Sequence, residues 1–439
     1  MTNKERVQYC LAALENAGAQ KAQCLLTTRK IHELNVASNT LSLLRTIVDT
    51  SLQLIGIFDE RQGAVSVNIL DQASLDRAVD EVVFLAKSSQ PDSAYDIAEF
   101  QPAKEFSSGP ASPDREKMYA RLKAFLTYSQ ATYPQTMQEE IAFDFTSTCS
   151  IFQNSHGVDF VARQGRYNFS TLLASKDGKK TSSLNYSGFS SQQLEQELQF
   201  YGSIERLLQQ SQEQIATTHF PGKIRGDVII TPDCLGDFIA YITRFLRDAS
   251  LITGNSIFKT CLGQEVAYEK FTLHSRPVSE ELSSGYFFTK DGYEAQNMTI
   301  VGHGILNSFL LSLYGARKTG FARAVNEGGA YIVEAGGTPL EKMIASVRQG
   351  ILLGRFSGGA PSENGDFSGV AKNSYYIENG VIQAPISETM LSGNLVGLLK
   401  KIRFISRERT DFGTAIFPWV QVRDITISGK GGGSAESVS

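Results

Sequence analysis

The chain has 439 residues, 41% hydrophobic and 20% charged, the composition of an ordinary globular protein with room for two or three domains. Its 42 Lys and Arg against 46 Asp and Glu give a net charge of -4, so no global positive field draws it to nucleic acid or to an anionic membrane. The five cysteines, Cys10, Cys24, Cys149, Cys234 and Cys261, are odd in number and lack any C-x-x-C pair, which reads as reduced thiols in a cytoplasmic protein.

The first residues, MTNKERVQYC, carry too many charges for a secretory signal, and the chain has no apolar run near the ~18 residues that a membrane span needs. Apolar spacing predicts a helix from Glu5 to Ala17, with Gly18 as its stop. Ala22 to Val36 and Thr40 to Phe58 alternate as strands around a turn at Asn39, and Asp59 to Gly63 reads as a second reversal. Ser74 suits the N-cap of a helix whose stripe is Leu75, Ala78, Val79, Val82, Val83 and Ala86. Ser88 to Pro113 reads as a connecting loop, and Ser112-Pro113 as the start of a helix to about Ser129. Glu140 to Gln153, Asp159 to Arg163, Tyr167 to Leu173 and Thr181 to Tyr186 read as antiparallel strands, and Ser191 to Gln214 as one long polar helix.

Thr217 to Gly226, with Pro221-Gly222, is the expected boundary between halves. A strand from Asp227 to Ile230 and a helix from Cys234 to about Ala249 open the second half, and Gly304 to Tyr314 reads as buried. From Gly354 onward turn residues punctuate short apolar runs. Asn379-Gly380 predicts a tight hairpin between Tyr375-Tyr376-Ile377 and Val381-Ile382. Leu395 to Ile402 reads as a short amphipathic helix, and Ala415 to Val422 with Ile425 to Ile427 as returning strands. Strands and helices without a βαβ rhythm predict an α+β fold. Residues 1–216 form an N-terminal α/β half with a mixed or antiparallel sheet and sub-modules at about 1–90 and 112–216. Residues 223–429 form a β-rich half with short helices, and residues 430–439 a flexible tail or expression scar.

Gly365-Asp366-Phe367-Ser368, Ile377-Glu378-Asn379-Gly380 and Ser392-Gly393-Asn394 resemble phrases from the C-terminal domain of the TldD/TldE family, also called PmbA or modulator of DNA gyrase proteins. Tyr314 to Gly320, Glu334 to Thr338 and Asn154-Ser155-His156-Gly157 extend the resemblance over nearly the whole chain. It implies a metallopeptidase architecture in which catalytic members carry H-E-x-x-x-H in the region of Val228 to Asn255, plus a cysteine that falls near Ser392. Such a site needs imidazoles, an anionic ligand and a carboxylate for the proton of bound water.

The five histidines here are His32, His156, His219, His274 and His303, and none lies between His219 and His274. His32-Glu33 lacks a second histidine and sits in a predicted strand, so it reads as structural. A serine hydroxyl at Ser392 is a poor zinc ligand. Other motifs are equally incomplete. Gly178-Lys179 has Leu173 in place of the first P-loop glycine, Gly302-His303-Gly304 is a lone glycine pair, and Phe356-Ser357-Gly358 lacks the first glycine of a nucleophile elbow.

The resemblance therefore implies a non-catalytic TldE-like subunit with no metal of its own. Zinc is expected in a TldD-like partner, and the pair is expected to cleave unfolded peptides, with no nucleic-acid or membrane partner. The alternative is a standalone peptide-binding or regulatory protein, as a monomer or a homodimer; a metal-independent hydrolase using Cys234 or Ser357 is a third reading. Arg317, Arg355, Ser357, Asp366, Ser392 and Asn394, set among glycines, are the candidates for contact with peptide or partner, since Arg suits bidentate carboxylate recognition.

Overall fold

Four strands of 17 to 19 residues, Lys21–Ala37, Thr40–Phe58, Thr136–Asn154 and Asp159–Asp177, make the frame of the first half, several times the usual strand length. The computed structural model describes residues 1–429, and the tail expected at 430–439 lies outside them. The eight-stranded sheet runs Arg61–Val67, Thr40–Phe58, Lys21–Ala37, Thr136–Asn154, Asp159–Asp177, Lys104–Ser108. The last of these pairs in parallel, and Asn185–Ser191 also pairs with Asp159–Asp177.

Period-2 alternation decides what each face meets. On one face Cys24, Leu26, Leu52 and Leu54 pack under the helices Asn3–Asn16 and Gln72–Ser88. Further along the same strands, Leu34, Phe143, Phe145 and Phe169 pack under the helices Arg115–Thr132 and Ile204–Glu213. The opposite face carries Thr27, Arg29, Glu33, Asp144 and Arg166. There burial raises the Asp144 carboxyl and lowers the Arg166 guanidinium.

The chain enters the second sheet at Thr218–His219, which pairs with Val381–Ser387. This sheet has fourteen strands, and Ile416–Ser428 is its hub, bonded to Lys223–Ile230, Tyr331–Val333, Thr389–Asn394 and Ile402–Asp411. The helix Pro232–Arg244 lies on it through Phe238, whose ring meets Phe356 and Phe367 at centroid distances of 5.5 and 5.7 Å. Two sheets with flanking helices and no βαβ repetition make the chain an α+β protein, as expected.

Several local expectations are corrected. Asp71, not Ser74, caps its helix, accepting from the Ser74 amide at 2.9 Å, and Asp114 rather than Ser112 caps Arg115–Thr132. The supposed loop from Ser88 to Pro113 contains the strand Lys104–Ser108, while the reversal expected at Asp59 to Gly63 forms at Asp59-Glu60, with Arg61 already in the strand Arg61–Val67. Asp159–Asp177 is one strand, not two, because Gly165 marks a close approach of the Pro110 carbonyl rather than a turn. The long helix expected over Ser191 to Gln214 forms only from Ile204. Before it, Leu194 and Leu198 are drawn into the core, and the Tyr201 ring stacks on Phe189 at 4.1 Å. The helix expected from Cys234 to Ala249 is Pro232–Arg244 followed by the short Asp248–Ile252. The final strands merge into Ile416–Ser428 with a shifted register opposite Gly226 and Val228. Leu306, Phe309, Leu310 and Leu311 are buried as expected.

The Asn379-Gly380 hairpin forms as predicted, with φ of 49° and 79°. Both amides donate outward, to Arg348 and Val347 carbonyls at 2.8 Å, and a Cβ on Gly380 would meet the Ala345 carbonyl oxygen at 2.7 Å. Gly380→Val is expected to destabilise by about 1–3 kcal/mol through positive-φ strain alone, with the backbone collision adding to it. An unchanged denaturation midpoint would contradict this.

Candidate functional site

Thr231-Pro232 starts the helix Pro232–Arg244 directly from the end of Lys223–Ile230, with proline at a position where its missing N–H costs nothing. Cys234, Leu235, Phe238, Ile239 and Ile242 form its buried stripe. Asp233, Asp237 and Tyr241, spaced four apart, share another face. Asp233 and Gly236 form one wall of a cleft of about 490 Å³ whose other wall, Leu172, Tyr186 and Gly188, belongs to the first sheet.

Asp233 is the joint between these walls. Its carboxylate accepts from Ser203, from Ser187 at 3.2 Å and from Arg206 at 2.9 Å, all residues of the first half. Arg355 closes the joint from the other side. It donates to the Asp233 carbonyl at 2.9 Å, to the Tyr186 carbonyl and to Asn185 Oδ1 at 3.4 Å, lies 4.1 Å over the Tyr186 ring, and stands 3.6 Å from the Asp233 carboxylate. A guanidinium so engaged clasps the two halves and keeps little free for a ligand. One turn on, burial raises the Asp237 carboxyl above its ordinary range, opposed by the Arg355 charge, and burial with Asp237 raises the Tyr241 phenol.

Arg355, Ser357, Asp366, Ser392 and Asn394 come together on three adjacent strands, Arg355–Gly358, Asp366–Lys372 and Thr389–Asn394. Asp366 faces Asn394 across the ladder and Ser392 faces Ser368. Cross-strand partners and alternate residues share a face, so Ser357, Asp366, Ser392 and Asn394 project from the same one, while the Arg355 side chain turns to Asp233 at the start of the helix. Asn394 Nδ2 donates to Asp366 at 2.9 Å, and its Oδ1 accepts from the Val396 and Gly397 amides, capping Leu395–Lys400. Arg317 lies elsewhere, ion-paired with Asp96, which also holds Lys21.

The residues present do not fit a zinc site. Cys234 is fully buried, and burial pushes its thiol far above the ordinary range, which also removes it as a nucleophile. Leu391 and Gly393 face Phe367, on the side that the helix covers, so Ser392 points away from the helix. Among the described residues no three His, Cys, Asp or Glu side chains converge as a cation requires. Both His32 and His274 serve structural contacts: the first meets Thr46 at 2.9 Å, and the second bridges Thr299 and Glu334 at 2.9 and 2.8 Å. Ser357 is exposed, and none of the five imidazoles hydrogen-bonds to it. Sequence reasoning missed Asp233, Asp237 and Tyr186. Two acids four apart on a helix with an otherwise apolar face were the available signal.

Residues 222–429 match the PmbA/TldA metallopeptidase C-terminal domain. The chain is 22% identical to Metalloprotease PmbA of Escherichia coli O157:H7, covering 85% of this chain and 86% of that one. It is 23% identical to a Haemophilus influenzae PmbA homolog, over 91% of this chain and 90% of that one. Among solved structures, TldE of Thermococcus kodakarensis superposes with a TM-score of 0.85 at 17% identity, over 97% of this chain and 100% of that one. A Bacteroides thetaiotaomicron protein described as a modulator of DNA gyrase gives 0.87 at 20% identity, over 97% and 99%.

Two outcomes follow from the joint. Asp233→Ala leaves the buried Arg355 without its counter-charge and is expected to cost about 3–5 kcal/mol in chemical denaturation. Asp237→Asn should stabilise. A raised carboxyl pKa means that the folded state holds a proton the unfolded state releases, so stability falls as pH rises from the unfolded value of about 4 through the folded one. The variant's gain in melting temperature should be present at pH 7 and vanish below pH ~4; a gain independent of pH would show that Asp237 is not strained by burial.

Proposed function

We propose, from the premise that this chain belongs to the PmbA/TldD/TldE family of metallopeptidase-like proteins, that it is a non-catalytic, TldE-like subunit of a heterodimeric zinc metallopeptidase. The observation that carries this reading is the helix Pro232–Arg244. It lies beside a cleft between the two sheets, yet presents Pro232, Asp233 and Gly236 there and contains no imidazole. A chain that retains the architecture without ligands is most simply retained for what it contacts.

In this reading a cytoplasmic TldD-like partner supplies the zinc, and the two chains enclose a chamber that admits unfolded peptides, including leader segments of ribosomally made products. The contribution of this chain is shape. The Asp233–Arg355 joint holds the cleft at one width, and the polar face bearing Ser357, Asp366, Ser392 and Asn394 offers hydroxyls and amides to an extended backbone or to the partner. Arg355 and Arg317 act in this reading as braces, because their donors are occupied within the chain.

Peptide-cleavage assays on this chain, on the partner and on the mixture test the proposal, with the glutamate of the partner's H-E-x-x-x-H replaced as control. Activity is expected only in the mixture and should be lost on chelation; chelator-resistant cleavage by this chain alone, or full activity of the partner alone, would overturn it. Metal analysis of tag-free protein should find no stoichiometric zinc in the isolated chain. One tightly held zinc per chain would defeat the assignment of the metal to the partner.

A further inference from the structure

The strand Thr40–Phe58 is paired along its whole length with Lys21–Ala37, but its other edge is covered by Arg61–Val67 only from Leu52 onward. Residues 40–51 therefore present an open row of backbone donors and acceptors. Edge strands of this length are normally blunted by lysines, prolines or bulges. This segment, TLSLLRTIVDTS, has neither lysine nor proline, its one bulge lies at Ser42 and leaves residues 43–51 in regular register, and it exposes Leu44 by 73% and Val48 by 64%. Beside it lies a groove of about 610 Å³ lined by Leu34, Leu44, Met118 and Tyr119, with Tyr119 half exposed. An apolar, unprotected edge next to an apolar groove is a surface built to be covered.

We infer that the cover is the same edge of a second copy of this chain, paired antiparallel about a two-fold axis through Ile47. The charges select this occupant and this register. The open edge carries one cation, Arg45, and one anion, Asp49, and two-fold pairing about Ile47 sets each opposite the other twice. Arg45 already holds Glu33 of its own chain at 2.5 Å, so the second carboxylate completes a network on the polar face of the sheet. On the other face Val48 lies across from Thr46 of the second copy, and Leu44 lies diagonal to its Val48. A slip by one residue would remove both charge pairs. The inference stands apart from the heterodimer reading, because it concerns the isolated chain and needs no metal-bearing partner.

Light scattering on the purified full chain is expected to give twice the chain mass. Asp49→Arg, which sets two arginines opposite one another, should weaken the dimer roughly tenfold or more without lowering the melting temperature of the monomer. Adding Arg45→Asp to that variant should restore it. Under mild oxidation Ile47→Cys should form a disulfide dimer, while Leu43→Cys, which would face residue 51 of the second copy, should not exceed the wild-type background. A wild-type chain that stays monomeric overturns the inference, as does Asp49→Arg dimerising like the wild type or Leu43→Cys cross-linking as readily as Ile47→Cys. A monomer that takes an extended peptide along this edge overturns it in favour of a peptide groove.

Discussion

Asp233 is 6% exposed at its side chain and Arg355 10%, and between them they hold the first sheet against the helix that opens the second. A buried ion pair is weak evidence of stability, because desolvation offsets most of the Coulombic gain. Its value here is geometric. Five groups from two segments, Asn185, Tyr186 and Ser187 on one and Ser203 and Arg206 on the other, are satisfied only when the two halves sit at one distance and angle. An apolar contact between the same surfaces could slide; a hydrogen-bonded charge network cannot slide without stranding a charge. The cleft between the sheets inherits its width from this constraint. Lys318 and Tyr314, both bonded to Asp92, and Lys104, bonded to Glu294, repeat the device at the far end of the interface with more exposed groups, where each contact contributes less.

Long strands make that interface possible. At 19 residues Thr136–Asn154 and Asp159–Asp177 run under two separate helix layers. Their polar face is thereby left to meet the C-terminal half at one end, where Phe152 and Phe160 pack with Phe288. The same length leaves part of Thr40–Phe58 without a neighbour. Closed interface and open edge are thus two consequences of one choice of strand length.

What could be read from the sequence divides along physical lines. Patterns that depend on near neighbours were legible: the Asn379-Gly380 turn, the Thr40 to Phe58 alternation, and the apolar stripe after Ser74. Where tertiary contacts decide, the reading failed. Gly165 resembles a turn glycine but sits mid-strand because the Pro110 carbonyl needs the space, and Ser191 to Tyr201 has helix-forming residues that are spent instead on covering Phe189. At the site, four of six flagged residues fell on one face because family-like phrases mark adjacent strands. How Arg355 is engaged was not legible, since nothing in its neighbourhood in sequence shows that Tyr186, 169 residues away, would occupy its donors.

That engagement bears on how the helix Pro232–Arg244 keeps its place. In a catalytic chain a metal bridging the helix and a neighbouring strand would itself hold the two together, and binding free energy would become folding free energy. Here Cys234 is packed into the core, Ser392 points away, and Asp237 is left in a partly desolvated position that costs stability. The helix must then be held by other means. The Asp233 network at its first turn and the Phe238 contacts with Phe356 and Phe367 at its second are sufficient in kind: one sets direction, the other supplies apolar burial. A chain anchored in this way can lose metal ligands without losing the cleft.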